Sequence, residues 1–177
     1  MRSIHTFDAQ VARAVVALPV GLKPVFLVVT LLGSPTVTMA IGFGVVVAAY
    51  FRHSLRMELA GGGVWLTVGI NSLIKLAVER ERPLSDYALA MPLRTHSFPS
   101  GHAAGSMVAY GLLAYLAWRL LPQPWSAIVV VALGLLIFLI GVSRVYLGAH
   151  FPTDVIAGWL LGGVALVLII VVVKPLQ

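Results

Sequence analysis

The sequence has no cysteine and little charge: only 10% of its 177 residues are Asp, Glu, Lys or Arg. Without thiols there is no disulfide framework, no thiolate metal site and no thiol nucleophile, which fits any compartment and selects none. So low a charge content, beside 60% hydrophobic residues and a mean hydropathy of +1.01, excludes an ordinary soluble globular chain. The strand alternation of a membrane barrel is missing as well. Acidic residues are scarce, six against twelve Lys plus Arg, giving a net charge of +6. In a membrane chain that excess serves topology and anionic headgroups, and no basic, aromatic-interleaved face points to nucleic acid as a partner. The N-terminus lacks a continuous apolar core followed by a small-residue cleavage site, so no cleavable signal peptide is expected.

What is present is a series of apolar runs of about 17 to 23 residues, near the roughly 20 that span a hydrocarbon core. Runs at 35–51, 59–78, 103–121, 126–142 (extending toward 147) and 155–173 predict five spans. Residues 1–33 read differently. Phe7, Val11, Ala14, Val15 and Leu18 recur at helical spacing with Asp8, Gln10 and Arg13 between them, the pattern of an amphipathic helix at an interface. Pro19, Gly21 and Pro24 then break it. Residues 25–32 are too few to span alone, so two surface or re-entrant helices are expected in preference to one kinked span.

The expected fold class is therefore all-α: a polytopic transmembrane helical bundle of about five spans plus N-terminal interfacial or re-entrant helices, six helices being possible. One domain is expected over 1–177, with 34–177 as its transmembrane core. Gly158 and Gly162 form a G-x-x-x-G in the last run, a face that permits close helix packing.

Three polar clusters interrupt the apolar runs, and counting spans places all three on one side of the membrane. Arg52, Arg56, Arg119 and Lys174 mark the other side, with only Glu58 opposing them. The excess of Lys and Arg in cytoplasmic loops makes that side the inner one, so the clusters face outward.

The first cluster is Lys75, Arg82 and Pro83. Lys75 and Arg82 are seven residues apart, which on a continuous helix puts them within about 20 degrees of one face, able to reach one anion; simple snorkelling of basic residues at a span end is the alternative. Arg80, Glu79 and Glu81 fall on other faces, solvated or paired at the interface. The second cluster, Pro99, Ser100, Gly101 and His102, opens a span. Ser100 suits an N-cap, the helix start offers amide donors to a phosphate, and Gly101 lets the backbone approach closely. An unremarkable N-cap is the alternative, with His102 its unexpected member. The third cluster is Ser143, Arg144, His150 and Asp154. Asp154, four residues after His150 with Pro152 between them, is placed to contact the imidazole; an interfacial loop tied by an Arg144–Asp154 salt bridge is the alternative.

Lys75-x6-Arg82-Pro83, Pro99-Ser100-Gly101-His102 and Ser143-Arg144-x5-His150-x3-Asp154 together resemble the tripartite signature of the type 2 phosphatidic acid phosphatase superfamily, over about residues 70 to 160. The resemblance implies a membrane lipid phosphatase. It makes His150 the nucleophile that forms a phosphohistidine, with Asp154 orienting it, and His102 the acid that protonates the leaving group and then activates water. Lys75, Arg82, Ser100, Gly101 and Arg144 would hold the phosphate oxygens. It implies no cofactor and no metal, the cations taking the metal's electrostatic task, and a lipid phosphate or diphosphate as substrate: undecaprenyl diphosphate, phosphatidylglycerol phosphate or phosphatidic acid. The expected location is the cell membrane, with the site extracytoplasmic.

Two other enzyme readings carry the same signature. A lipid phosphotransferase would pass the phosphoryl group to a second hydroxyl, and a vanadium haloperoxidase shares the anion site but is soluble. A noncatalytic lipid-binding or transport protein would need the cations, not two histidines in acid and nucleophile positions. Tyr146, Trp65 and Trp159 read as interface anchors, His96 as a loop residue, and residues 84–98 as the loop that would select the headgroup.

Overall fold

The computed structural model describes residues 2–90 and 95–173; Pro92, Arg94, Lys174 and Pro175, which entered the loop and topology readings, lie outside them. Among the described residues the chain forms α1 (Arg2–Val16), a 3-10 turn (Val20–Leu22), α2 (Lys23–Leu32), α3 (Pro35–Phe51), α4 (Leu55–Val78), the short α5 (Asp86–Leu89), α6 (Gly101–Leu120), α7 (Trp125–Tyr146) and α8 (Pro152–Val173).

Helix boundaries follow local chemistry. Ser34 caps α3 by accepting from the Val37 amide, with Pro35 at the first position, where its missing N–H costs nothing. Ser100 caps α6 in the same way, and Pro152 opens α8. Between α1 and α2 the axis bends by 86°, at a break containing Pro19, which cannot extend a helix. Both N-terminal helices pack on α7, and α1 also touches α8.

The expectation of five spans is met only in part. By length and composition α4, α7 and α8 can cross a membrane, and α1 with α2 would add one if the bent pair counts as a single span. α3 has 17 residues, about 25 Å at 1.5 Å per residue, short of a core of roughly 30 Å. α6 has 20 residues, but its first turns, G-H-A-A-G-S, are small and polar.

That composition fits the position of α6, which packs against α3, α4, α7 and α8 and buries Ala103, Ala104, Gly105, Ser106, Val108, Ala109, Tyr110 and Leu112. Small side chains let neighbouring backbones approach. The G-x-x-x-G of α8 faces it: a Cβ on Gly158 would lie 2.9 Å from that of Ala103, and one on Gly162 would lie 2.8 Å from that of Met107. The α6–α8 seam thus fixes the two helix starts that carry His102 and Asp154. Further along, Val108, Ala109 and Leu112 join Val45, Val64 and Ile169 in the main apolar core. Tyr146 does more than anchor an interface: its ring packs 4.5 Å from that of Phe26, and its hydroxyl donates to the Pro19 carbonyl.

Candidate active site

The residues of the three polar clusters gather at one end of the bundle, where α4 and α7 finish and α6 and α8 begin. Lys75 is in the last turn of α4, and Ser100, Gly101 and His102 start α6. Arg144 is in the last turn of α7, His150 lies in the tight turn that follows, and Asp154 is in the first turn of α8. A hydrogen bond from the Ser100 amide to the Asp154 carbonyl, 2.9 Å, joins the second cluster to the third.

Lys75 and Arg82 do not share a helix face, contrary to the expectation from their spacing. α4 stops at Val78, and Glu79 takes left-handed backbone angles (φ 51°) that end the helix, so Arg82 lies in the following connection. The two cations meet by another route, through the segment just before α6. Lys75 Nζ donates to the carbonyls of His96 (2.6 Å) and Ser97 (3.2 Å). Arg82 donates to the carbonyl and hydroxyl of Thr95 (2.7 and 3.0 Å) and to the Ala149 carbonyl (2.9 Å).

Arg82 Nη1 also lies 3.3 Å from His150 Nε2. A guanidinium only donates, so Nε2 is the unprotonated nitrogen and Nδ1 carries the hydrogen. Nδ1 lies 3.4 Å from both Asp154 Oδ2 and the Ser97 hydroxyl. The imidazole is thereby held as the tautomer whose free lone pair faces the cations. Burial pushes its pKa down to about 3; the hydrogen bond to Asp154 opposes that shift, and Arg144, Arg82 and Lys75 reinforce it. His150 is thus a neutral imidazole at physiological pH. Burial, followed by repulsion from Arg144, also lowers the pKa of Arg82.

Asp154 is fully buried. Its Oδ2 accepts from the Ser97 hydroxyl and the Phe151 amide, and its Oδ1 accepts from Arg80 Nη1 at 2.6 Å. The alternative Arg144–Asp154 bridge is not formed. Arg144 turns instead to Thr30 of α2 (2.6 Å) and to the Tyr87 hydroxyl of α5 (3.3 Å). Arg144 is fully buried, yet its Nε and Nη2 have no hydrogen-bond partner among the described residues. α5 is held over this end by Ser85, whose hydroxyl donates to the Gly148 carbonyl at 2.9 Å. Gly148 has φ 68°, and a Cβ there would meet Ser85 at 2.7 Å, so glycine is required on both counts. His102 lies within electrostatic range of Arg144, His150, Arg82 and Lys75.

A family model, the PAP2 superfamily, matches residues 58–177. The chain belongs to the PAP2 superfamily. Phosphatidylglycerophosphatase B of Bacillus subtilis is 39% identical over 95 residues, 52% of this chain and 46% of that protein. Undecaprenyl-diphosphatase of Sulfolobus acidocaldarius is 35% identical over 102 residues, 55% of this chain and 45% of that protein. The chain thus spans about half the length of these curated relatives. The crystal structure of a transmembrane PAP2 type phosphatidylglycerolphosphate phosphatase from Bacillus subtilis superposes with a TM-score of 0.79 at 29% identity, covering 96% of this chain and 85% of that one. This PAP2 member is an integral membrane protein with several apolar spans.

Several residues that complete the site were not singled out by the sequence reading. Ser97, Thr95, Thr30 and Tyr87 are ordinary residue types whose roles arise from tertiary placement. Arg80, expected to be solvated or paired at the interface, is paired with Asp154 and with Asp8 of α1. No residue pattern marked that pairing, since Asp8 reads as part of the polar face of α1. His96 contributes its backbone carbonyl, as a loop residue would.

Proposed function

We propose that this PAP2 member is an integral membrane lipid phosphatase that removes the terminal phosphate of a lipid phosphate or diphosphate through a phosphohistidine on His150. The observation that carries this reading is the cation cage beside an oriented, neutral imidazole. Arg144 is buried with two unpartnered guanidinium nitrogens, Arg82 sits against Nε2, and Asp154 lies against Nδ1. An unpartnered buried guanidinium calls for an anion, and a free imidazole lone pair beside it supplies a nucleophile.

In the mechanism, Lys75, Arg82 and Arg144, with the amide-rich start of α6 at Ser100 and Gly101, grip the nonbridging oxygens and spread the transition-state charge. His150 Nε2 forms the N–P bond as the bond from phosphorus to the lipid oxygen breaks, and His102 gives that oxygen its proton. Asp154 stabilises the positive charge on the His150 ring through Nδ1–H. His102 then takes a proton from water as its oxygen attacks phosphorus, releasing inorganic phosphate and restoring His150. No step calls for a metal ion, since three cations already surround the phosphoryl site.

The finer placement belongs to the same proposal. Residues 1–177 act as one domain with five crossing helices, α3 and α6 included, and the site faces the extracytoplasmic side. The cations Arg52, Arg56 and Arg119 at the opposite end support that orientation.

The test is phosphate release by detergent-purified protein from undecaprenyl diphosphate, phosphatidylglycerol phosphate, phosphatidic acid and a soluble phosphate ester, with EDTA present. Release confined to one lipid identifies the substrate. A folded protein that releases phosphate from none of them overturns the reading.

A further inference from the structure

The mechanism leaves one buried carboxylate unused. Asp8 of α1 is 3% exposed and lies outside the residues matched by the family model. Its Oδ2 accepts from Arg80 Nη2 at 2.7 Å and from the Thr153 hydroxyl at 2.8 Å, and its Oδ1 accepts from the Thr153 amide at 2.9 Å. The Thr153 amide is one of the free donors at the start of α8, so α1 supplies the cap of another helix. That helix carries Asp154 in its next position. Arg80 closes the circuit: its Nη1 donates to Asp154 Oδ1 at 2.6 Å and to the Thr153 hydroxyl at 2.8 Å, and its guanidinium rests on the Phe151 ring, 4.3 Å from the centroid.

From this arrangement we infer that Asp8 is a positioning residue for catalysis, sharing Arg80 with Asp154 and thereby fixing the carboxylate that orients His150. The inference rests on the phosphohistidine reading above. Two carboxylates divide one guanidinium. Without the charge of Asp8, Arg80 is neutralised by Asp154 alone. Asp154 is then drawn toward Oδ1···Arg80, and its other oxygen stabilises the imidazolium charge less. The Thr153 amide can still find an acceptor on a neutral side chain, so the effect comes through the charge shared at Arg80. The phosphate-holding cations Lys75, Arg82 and Arg144 make none of these contacts, so substrate binding is untouched while the chemical step slows. α1, which the sequence suggests is only a surface helix, then forms part of the catalytic apparatus.

The experiment compares native protein, Asp8→Asn, Asp8→Glu and Arg80→Lys, in steady state and in single turnover with enzyme in excess over labelled lipid phosphate. The single-turnover rate constant reports only folded molecules, so partial misfolding of a variant does not imitate the effect. Asp8→Asn keeps the shape and an acceptor for Thr153 but removes the charge. The expected result is a fall in that rate constant of about 10–100-fold, by analogy with the loss of the outer hydrogen-bond partners of metal-bound histidines, with KM nearly unchanged. Asp8→Glu restores most of the rate. Arg80→Lys leaves the contacts of α1 with α7 and α8 in place, but cannot hold two carboxylates in one fork, and shows the same fall. Native rate constants in Asp8→Asn or in Arg80→Lys, or a loss carried by KM instead, overturn the inference while leaving the phosphatase reading intact. Absence of phosphate release by native protein overturns both.

Discussion

Ser97 and His150 meet at one carboxylate oxygen. The Ser97 hydroxyl donates to Asp154 Oδ2, the same atom that lies 3.4 Å from His150 Nδ1, and Ser97 Oγ itself is 3.4 Å from that nitrogen. The serine is fully buried, so no solvent competes for the carboxylate. Its backbone carbonyl meanwhile accepts from Lys75, so one residue braces both Asp154 and Lys75.

Ser97→Ala removes the first of these functions and spares the second. A hydrogen bond to a charged acceptor contributes about 1.5–3 kcal/mol, which corresponds to about 10–100-fold in rate if all of it is expressed in the transition state. The expected outcome is a fall in kcat toward that range with KM unchanged, measured by phosphate release at saturating lipid. An unchanged kcat would show that Asp154 needs no help from Ser97.

The pKa of His150 gives a pH prediction with a definite sign. In the unfolded chain the imidazole titrates near 6.5 and in the folded protein near 3. Between those values the unfolded state binds more protons, so stability is present above about pH 6.5 and is lost as pH falls toward 3, by up to about 1.4 kcal/mol per pH unit. Denaturation in detergent at pH 7, 5 and 4 is expected to show a steeper acid loss for native protein than for His150→Ala. Over the same range His150 stays neutral, so under the proposed mechanism phosphorylation of the enzyme does not slow between pH 7 and 5 through its protonation. Identical acid profiles for the two proteins would refute the buried neutral imidazole.

Two glycines of α8 make a matched pair for testing the seam. A Cβ on Gly158 would sit 2.9 Å from the Ala103 Cβ and crowd the Ser100 carbonyl, whereas one on Gly163 meets nothing within 4 Å. Gly158→Val is expected to cost about 1–3 kcal/mol as an overpacked contact and to lower phosphate release, because the start of α6 is displaced. Gly163→Val should leave melting temperature and activity near native. Equal behaviour of the two variants would contradict the α6–α8 packing.

The signature residues were legible in the sequence because their chemistry is rare in an apolar chain: Lys75, Arg82, His102, Arg144, His150 and Asp154 stand out wherever they fold. Two helix starts were legible for a similar reason, since Ser100 and Pro152 act locally. The support around the site was not. Thr95, His96 and Ser97 accept from the cations through backbone carbonyls, which every residue carries, and the hydroxyls of Thr95 and Ser97 are too common in loops to single out. Arg80 and Arg82 were misplaced by extending the helical period past Val78, where the left-handed Glu79 ends it. Asp8 was read as the polar face of an amphipathic helix, because periodicity does not distinguish a carboxylate facing water from one facing an arginine of another segment. The count of spans suffered from the converse problem. α6 sits at the centre of the bundle, where small residues are favoured over long apolar ones.

The central claim is that His150 carries the phosphoryl group. Native protein is incubated briefly with lipid phosphate labelled in its terminal phosphorus, in EDTA, and quenched in alkali, and the label is located by peptide mapping, with His150→Ala treated in parallel. The account predicts label on the peptide containing His150, undiminished by EDTA, and neither label nor phosphate release in His150→Ala. Phosphate release that persists in folded His150→Ala, or that EDTA abolishes in native protein, would contradict it.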